Sequence, residues 1–196
     1  MKKLISMALA VTMVLAMLAG CAAGGAAETT EAPTEVPTET SAAPQQLEGS
    51  VEDLLNQIIE KNPVEFAGGV IPVDLTDTSE EGLWALKAYT GLDSAEGLLE
   101  AAAYEPMMGS IAFSLVMVRL DEGTDARTVA QAMRSGIDTR KWICVEADQL
   151  MVCTCGDLVM LLMLNSDSGM TTQSFVEAFQ AICTEQLGEG MEIQVY

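Results

Sequence analysis

Histidine is absent from all 196 residues. Its absence removes the usual general base and proton shuttle, so neither a Ser-His-Asp nor a Cys-His nucleophile can be assembled from this chain. The commonest nitrogen ligand for zinc is missing with it. Basic residues are scarce as well: nine Lys and Arg stand against 29 Asp and Glu, for a formal charge of −20. Nucleic-acid binding draws on clustered Lys and Arg, so no nucleic acid is expected as a partner. Anionic lipid and anionic wall polymers are disfavoured by the same repulsion. There is no glycine-rich phosphate loop. No pair of carboxylates stands out for acid–base work.

What is present begins at the N-terminus. Met1-Lys2-Lys3 is followed by an uncharged, almost wholly apolar run from Leu4 to Leu18, the pattern of a signal peptide. The run closes in Leu18-Ala19-Gly20-Cys21. This resembles the lipobox of bacterial lipoproteins. The resemblance implies cleavage before Cys21, a diacylglycerol group on its thiol, and a chain held on the outer face of the cytoplasmic membrane. Two acyl chains suffice for stable anchoring where one does not. An uncleaved membrane anchor and an ordinary cleaved signal are the alternatives, since the run is just long enough to span a bilayer.

The expected organisation is therefore a signal peptide at 1–20, the lipidated Cys21 with an acidic linker to residue 49, and one extracytoplasmic domain at 50–196. Residues 21–196 hold seven basic and 29 acidic residues, a formal charge of −22; residues 50–196 hold seven and 24, or −17. The linker is built from Ala, Gly, Thr, Glu and Pro, with Val36 and Leu47 its only large apolar residues. Such a segment cannot bury enough surface to offset the entropy of ordering, and its prolines and glutamates keep it extended.

The domain reads as α+β. Ser50 and Asp53 form a capping pair ahead of Val51, Leu54, Leu55, Ile58 and Ile59 at helical spacing. Val70–Leu75 reads as a short extended segment that Pro72 confines to a sheet edge. A second helix, capped by Thr78 and Glu81, carries Leu83, Trp84, Leu86 and Tyr89 and ends at Gly91. A third runs from Ser94 to about Ala103. Ser110–Leu120 is apolar on both sides, as a central strand is. A helix over Thr124–Ile137 follows, then strands at Leu150–Cys155 and Asp157–Leu164 around a Gly156-Asp157 hairpin. The chain ends with a helix over Thr172–Leu187 capped by Gly188 and a strand over Met191–Tyr196. The order β-α-β-β-α-β predicts a ferredoxin-like sheet with helices on one face, preceded by two or three helices.

Tyr104-Glu105-Pro106-Met107-Met108, Leu115-Val116-Met117-Val118, Arg140-Lys141-Trp142-Ile143-Cys144-Val145-Glu146-Ala147-Asp148 and Gly156-Asp157-Leu158-Val159 together resemble an uncharacterised family of bacterial lipoproteins. That family carries a domain of unknown function of about 100 residues behind a lipobox and a polar linker; the likeness spans about Leu92 to Asn165. It implies export, anchoring and a domain boundary, and it brings no activity, cofactor or catalytic residue.

Four constellations carry chemistry. Cys144, Cys153, Cys155 and Cys183 are buried thiols by their apolar surroundings, with disulfides or a soft-metal site as alternatives. Met107, Met108, Met117, Met151, Met160 and Met163 read as core filling rather than copper ligands. Arg134, Arg140 and Lys141 beside Trp142 gather three of the domain's seven cations and form the candidate contact for a carboxylate, a phosphate or a partner protein. The plainer reading pairs these cations with Asp138, Glu146 and Asp148 and places Trp142 in the core. Asp121–Asp125 lacks the spacing of an EF-hand and reads as a helix-capping turn. No catalytic residue, metal ligand or cofactor site is assigned. The expected function is a non-enzymatic binding or interaction module, anchored to the membrane by Cys21 and facing an envelope protein partner. A small-ligand receptor, or an envelope enzyme using carboxylate or cysteine chemistry, is the alternative.

Overall fold

The amphipathic helices and apolar strands assemble into three layers, seen in a computed structural model that describes residues 45–191 and 193–196. The expected signal peptide, Cys21 and most of the linker lie outside the described residues. The elements run α1 (Val51–Lys61), β1 (Gly68–Pro72), α2 (Glu80–Thr90), β2 (Leu98–Pro106), β3 (Phe113–Leu120), α3 (Ala126–Gly136), β4 (Gln149–Cys155), β5 (Leu158–Leu164), α4 (Thr172–Leu187) and β6 (Gln194–Val195). The protein is thus α+β, with one six-stranded sheet, antiparallel throughout, in the order β1-β2-β3-β5-β4-β6.

Every side chain of β3 and β5 is buried, so neither face of the sheet can meet water. Side chains alternate between the two faces of a strand. Leu115, Met117, Met160 and Leu162 meet Leu54, Leu55 and Ile58 of α1 and Phe175, Phe179 and Ile182 of α4 on one face. Val116, Val118, Leu161 and Met163 meet Leu86 of α2 and Ala130 and Met133 of α3 on the other. Phe113 centres the first core, its ring 5.1 Å from Phe66 and 5.4 Å from Phe175. Truncating so large a buried ring to alanine costs about 3–5 kcal/mol.

The ferredoxin-like expectation is corrected in two respects. β3, β5 and β4 do lie in the order that fold requires, but its closing strand belongs beside the opening one. That place is taken by β2, and β6 is pushed to the far edge, against β4. Helices also cover both faces rather than one. The change of strand order follows from Leu98–Ala103, expected as the end of a third helix and found as the start of a strand. Leu, Glu and Ala favour helix locally, but here Ala101, Ala102 and Ala103 are wedged between β1 and β3 with almost no exposure. Ladder pairing on both sides and burial on both faces outweigh the local preference.

Other expectations hold with small shifts. Ser50 and Asp53 form the full capping box of α1, whereas α2 is capped by Ser79, one residue beyond Thr78. β1 is an edge strand, as Pro72 requires. Gly156, with φ of 56°, turns the β4–β5 hairpin. Asp125 caps α3 and ends the acidic turn. The final strand is only two residues long. Met117, Met160 and Met163 fill the core, but Met107 and Met108 end β2 in solvent, the former 78 % exposed.

Gln45–Gly49, read from composition as linker, are held by the folded domain. Leu47 is 3 % exposed. Its amide donates to Asp157 Oδ1 at 3.0 Å, and the Asp157 amide donates to Gln45 O at 3.2 Å. Arg119, at the end of β3, donates from Nη1 to Asp157 Oδ2 (2.6 Å) and Leu47 O (2.7 Å), and from Nη2 to Gly49 O at 2.5 Å. Its Nε lies 3.4 Å from Glu100 Oε1 without forming a hydrogen bond. The other Glu100 oxygen accepts from the Val51 amide at 2.8 Å, placing negative charge at the first turn of α1, where the helix dipole favours it. The chain thus joins the domain at one pole of the sheet, beside the hairpin turn.

Candidate functional site

The opposite pole lies about 20 Å away, the reach of a strand of six or seven residues at ~3.3 Å each. Here the β2–β3 loop, the end of β5 and the 137–148 loop converge. Asn165 Nδ2 donates to Glu146 O at 2.9 Å. Asp148 accepts from the Ser166 amide at 2.7 Å and from the Ser166 hydroxyl. The hydroxyl and the amide together lower the Asp148 carboxyl below its ordinary value.

Of the four residues singled out from sequence, Arg140 and Trp142 line one shallow surface recess and Lys141 reaches Trp142 from the inner side, whereas Arg134 lies apart. Arg134 leaves α3 toward the sheet edge, where Nη1 donates to Leu150 O (3.2 Å) and Tyr196 O (2.8 Å). Arg140 lies on the surface with its Nε 3.1 Å from Glu146 Oε2, and its amide donates to Asp138 Oδ1. Trp142 is half-buried against the α2–α3 core. Lys141 turns inward: it pairs with Glu105, and its ammonium donates to Ser114 Oγ at 3.2 Å and to Ala88 O at 3.3 Å. It also lies 5.0 Å from the Tyr89 ring centre and 5.4 Å from that of Trp142, within cation–π range. Burial, with the charge of Glu105 second, raises the Tyr89 phenol above its ordinary value.

The Lys141–Ser114 contact invites a reading as a nucleophile and its base. Ser114 is fully buried in β3, however, and its hydroxyl donates to Glu105 Oε1 at 2.7 Å. The cluster therefore works as a bracket that fixes the 137–148 loop to the sheet. An anion would fare no better at these cations. Five of the seven basic residues of the domain (Lys61, Lys87, Arg119, Arg140 and Lys141) are ion-paired with carboxylates, and Arg134 is spent on backbone carbonyls. A carboxylate or phosphate would have to displace a partner already in place.

Two of the fold's cysteines are joined: Cys155 of β4 is bonded to Cys183 of α4, clamping one helix to the sheet. Cys153 is buried and free, its thiol pushed up to about 12 by burial. Cys144 is exposed and free. Among the described residues no group of three or more Cys, Asp and Glu is placed to hold a metal ion.

A feature that sequence periodicity did not separate lies on α2. Gly82, Leu86 and Thr90 face the core, and the outward stripe of Glu80, Leu83, Trp84, Lys87 and Ala88 lines an open groove of about 650 Å³. Trp84 is 71 % exposed. The far wall is Gly136, Asp138 and Lys141. Beside the groove the C-terminal ends of α2 and α3 meet backbone to backbone. A Cβ on Gly136 would sit 2.0 Å from Gly91 O, and one on Gly91, with φ of 79°, would sit 2.6 Å from Ile137 N. The sequence signal for this face was the adjacent pair Leu83-Trp84: residues one apart on a helix cannot both lie on the stripe of Leu86 and Thr90.

No family model, curated protein or solved structure matches this chain. Among the described residues no helix is long and apolar enough to cross a membrane.

Proposed function

We propose that this chain is an exported bacterial lipoprotein of the uncharacterised family it resembles, anchored through Cys21, whose acidic domain is a non-enzymatic binding module for an envelope protein. The observation that supports this reading is polar asymmetry. The chain enters beside Arg119 and Asp157 at one end of the sheet, whereas the solvent-facing apolar side chains Met107, Met108 and Ile143, the last 100 % exposed, project from the loops at the other end. Three of the eight large apolar side chains exposed among the described residues thus stand on the loops of this pole, and exposed apolar side chains on a strongly charged domain suit macromolecular contact. With lipid at the N-terminus, the tethered domain gains effective concentration toward membrane neighbours.

The test is photocrosslinking in intact cells with a photoreactive residue at Ile143 or Met108, and at Gln186 beside the tether as the control. Defined protein adducts from the first two positions and none from Gln186 support the module. Adducts from no position, or equal adducts from all three, overturn it.

A further inference from the structure

The groove on α2 has a chemistry of its own. Its two cations are already neutralised, Lys87 by Asp93 and Lys141 by Glu105. Glu80 and Asp138 stand on opposite walls, and among the described residues neither belongs to an ion pair. The Trp84 indole, whose face attracts cations, lines the same groove together with the apolar Leu83. A half-open trough with an exposed indole and two unpaired carboxylates is complementary to a positively charged side chain carried on an apolar stem.

We infer that this groove is the docking site for a basic segment of the partner protein, with an Arg or Lys side chain laid on Trp84 between Glu80 and Asp138. This rests on the binding-module reading and names the chemistry of its partner. Charge excludes the other occupants. The chain's own segment from Leu4 to Glu60 contains no Lys or Arg and several glutamates, so it would meet Glu80 and Asp138 with like charge. A second copy brings another domain of charge −17, its cations largely engaged. The surrounding field draws a cationic partner in and speeds its encounter.

The probe is a fluorescein-labelled peptide of alternating Arg and Leu, titrated against the purified full chain and followed by anisotropy and by indole emission. The Trp84→Ala variant is expected to weaken binding about fivefold, and the Glu80→Gln, Asp138→Asn pair about tenfold at low salt. Asp167→Asn and Glu177→Gln, which remove acids elsewhere, should leave it within twofold. All five substitutions lie on the surface, and unchanged circular dichroism and unfolding midpoints confirm that the fold is kept. Equal losses from the remote acids mean that the peptide reads net charge only, and overturn the inference. Binding of free arginine amide as tight as that of the peptide also overturns it, because the occupant is then a small cation. Failure in these titrations with adducts still forming from Ile143 removes the groove and leaves the module standing. Absence of adducts removes the module itself.

Discussion

Replacing Arg119 by methionine should be among the most damaging single changes to this domain. The side chain is 8 % exposed and its partner Asp157 is 1 % exposed. Arg119→Met leaves the stem's volume in place and deletes the charge. Asp157 keeps the Leu47 amide but loses its cation, and Leu47 O and Gly49 O lose their donors. Breaking a buried pair by removing one partner costs about 3–5 kcal/mol, because a carboxylate is left uncompensated. For a domain of this size that lowers the melting temperature by about 6–20 °C. Asp157→Leu in the same background should recover part of the loss, since no orphan charge then remains; a double-mutant cycle isolates the coupling. The assay is urea unfolding with the disulfide intact, paired with amide exchange at Leu47 and Met117. The Leu47 amide should lose its protection first, showing that the 45–49 segment peels away ahead of the core. A cost below about 1 kcal/mol, or equal loss of protection at Leu47 and Met117, would refute the reasoning.

The remaining predictions concern thiols, backbone contact and the anchor. In a Cys21→Ala background the native protein should show one rapidly alkylated thiol, lost in Cys144→Ser; denaturation should expose a second, Cys153, and reductant two more. Because burial raises the Cys153 thiol from 9.0 to about 12, the unfolded chain gives up that proton first as pH rises. Its contribution to stability is complete below pH 9 and is lost between there and about 12, so unfolding midpoints should fall across that window less steeply in Cys153→Ala. Gly136→Ala should cost about 1–3 kcal/mol or more by overpacking against Gly91, seen in the unfolding midpoint; a neutral result would mean that α2 and α3 separate freely. Cys21→Ala should release the protein from membranes or accumulate a precursor and abolish incorporation of labelled fatty acid.

Much of this architecture is written in periodicity. α1, α3 and α4 each carry an apolar stripe at helical spacing, and the Gly156-Asp157 turn fixes the β4–β5 hairpin. β2 could not be read that way, because Leu98–Ala103 favours helix until β1 and β3 flank it. The covering of both faces was legible in β3, whose apolar residues on both sides have no place beside water. A sheet with helices on one face only has no cover for the second apolar side of β3. Arg119 was legible too: a lone charge in the run SLVMVRL must find a buried partner. Its partner Asp157 looked like an ordinary turn residue, since only the returning chain at Leu47 makes it an anchor point. The cations gathered at 134–141 are neighbours along the chain, but a helix end and a loop send them to separate places.

Arg134 illustrates what such dispersal achieves. β6 covers only Cys153 and Thr154 of β4, which leaves the first half of that strand as an open margin. There the guanidinium occupies Leu150 O, an acceptor that a visiting strand would need, while Pro72 withholds a donor from the opposite margin at β1. Open margins invite strand addition and self-assembly into fibres. With one margin guarded by arginine and the other by proline, the sheet is poorly suited to extension by another chain, and recognition is left to side chains on the helices and loops.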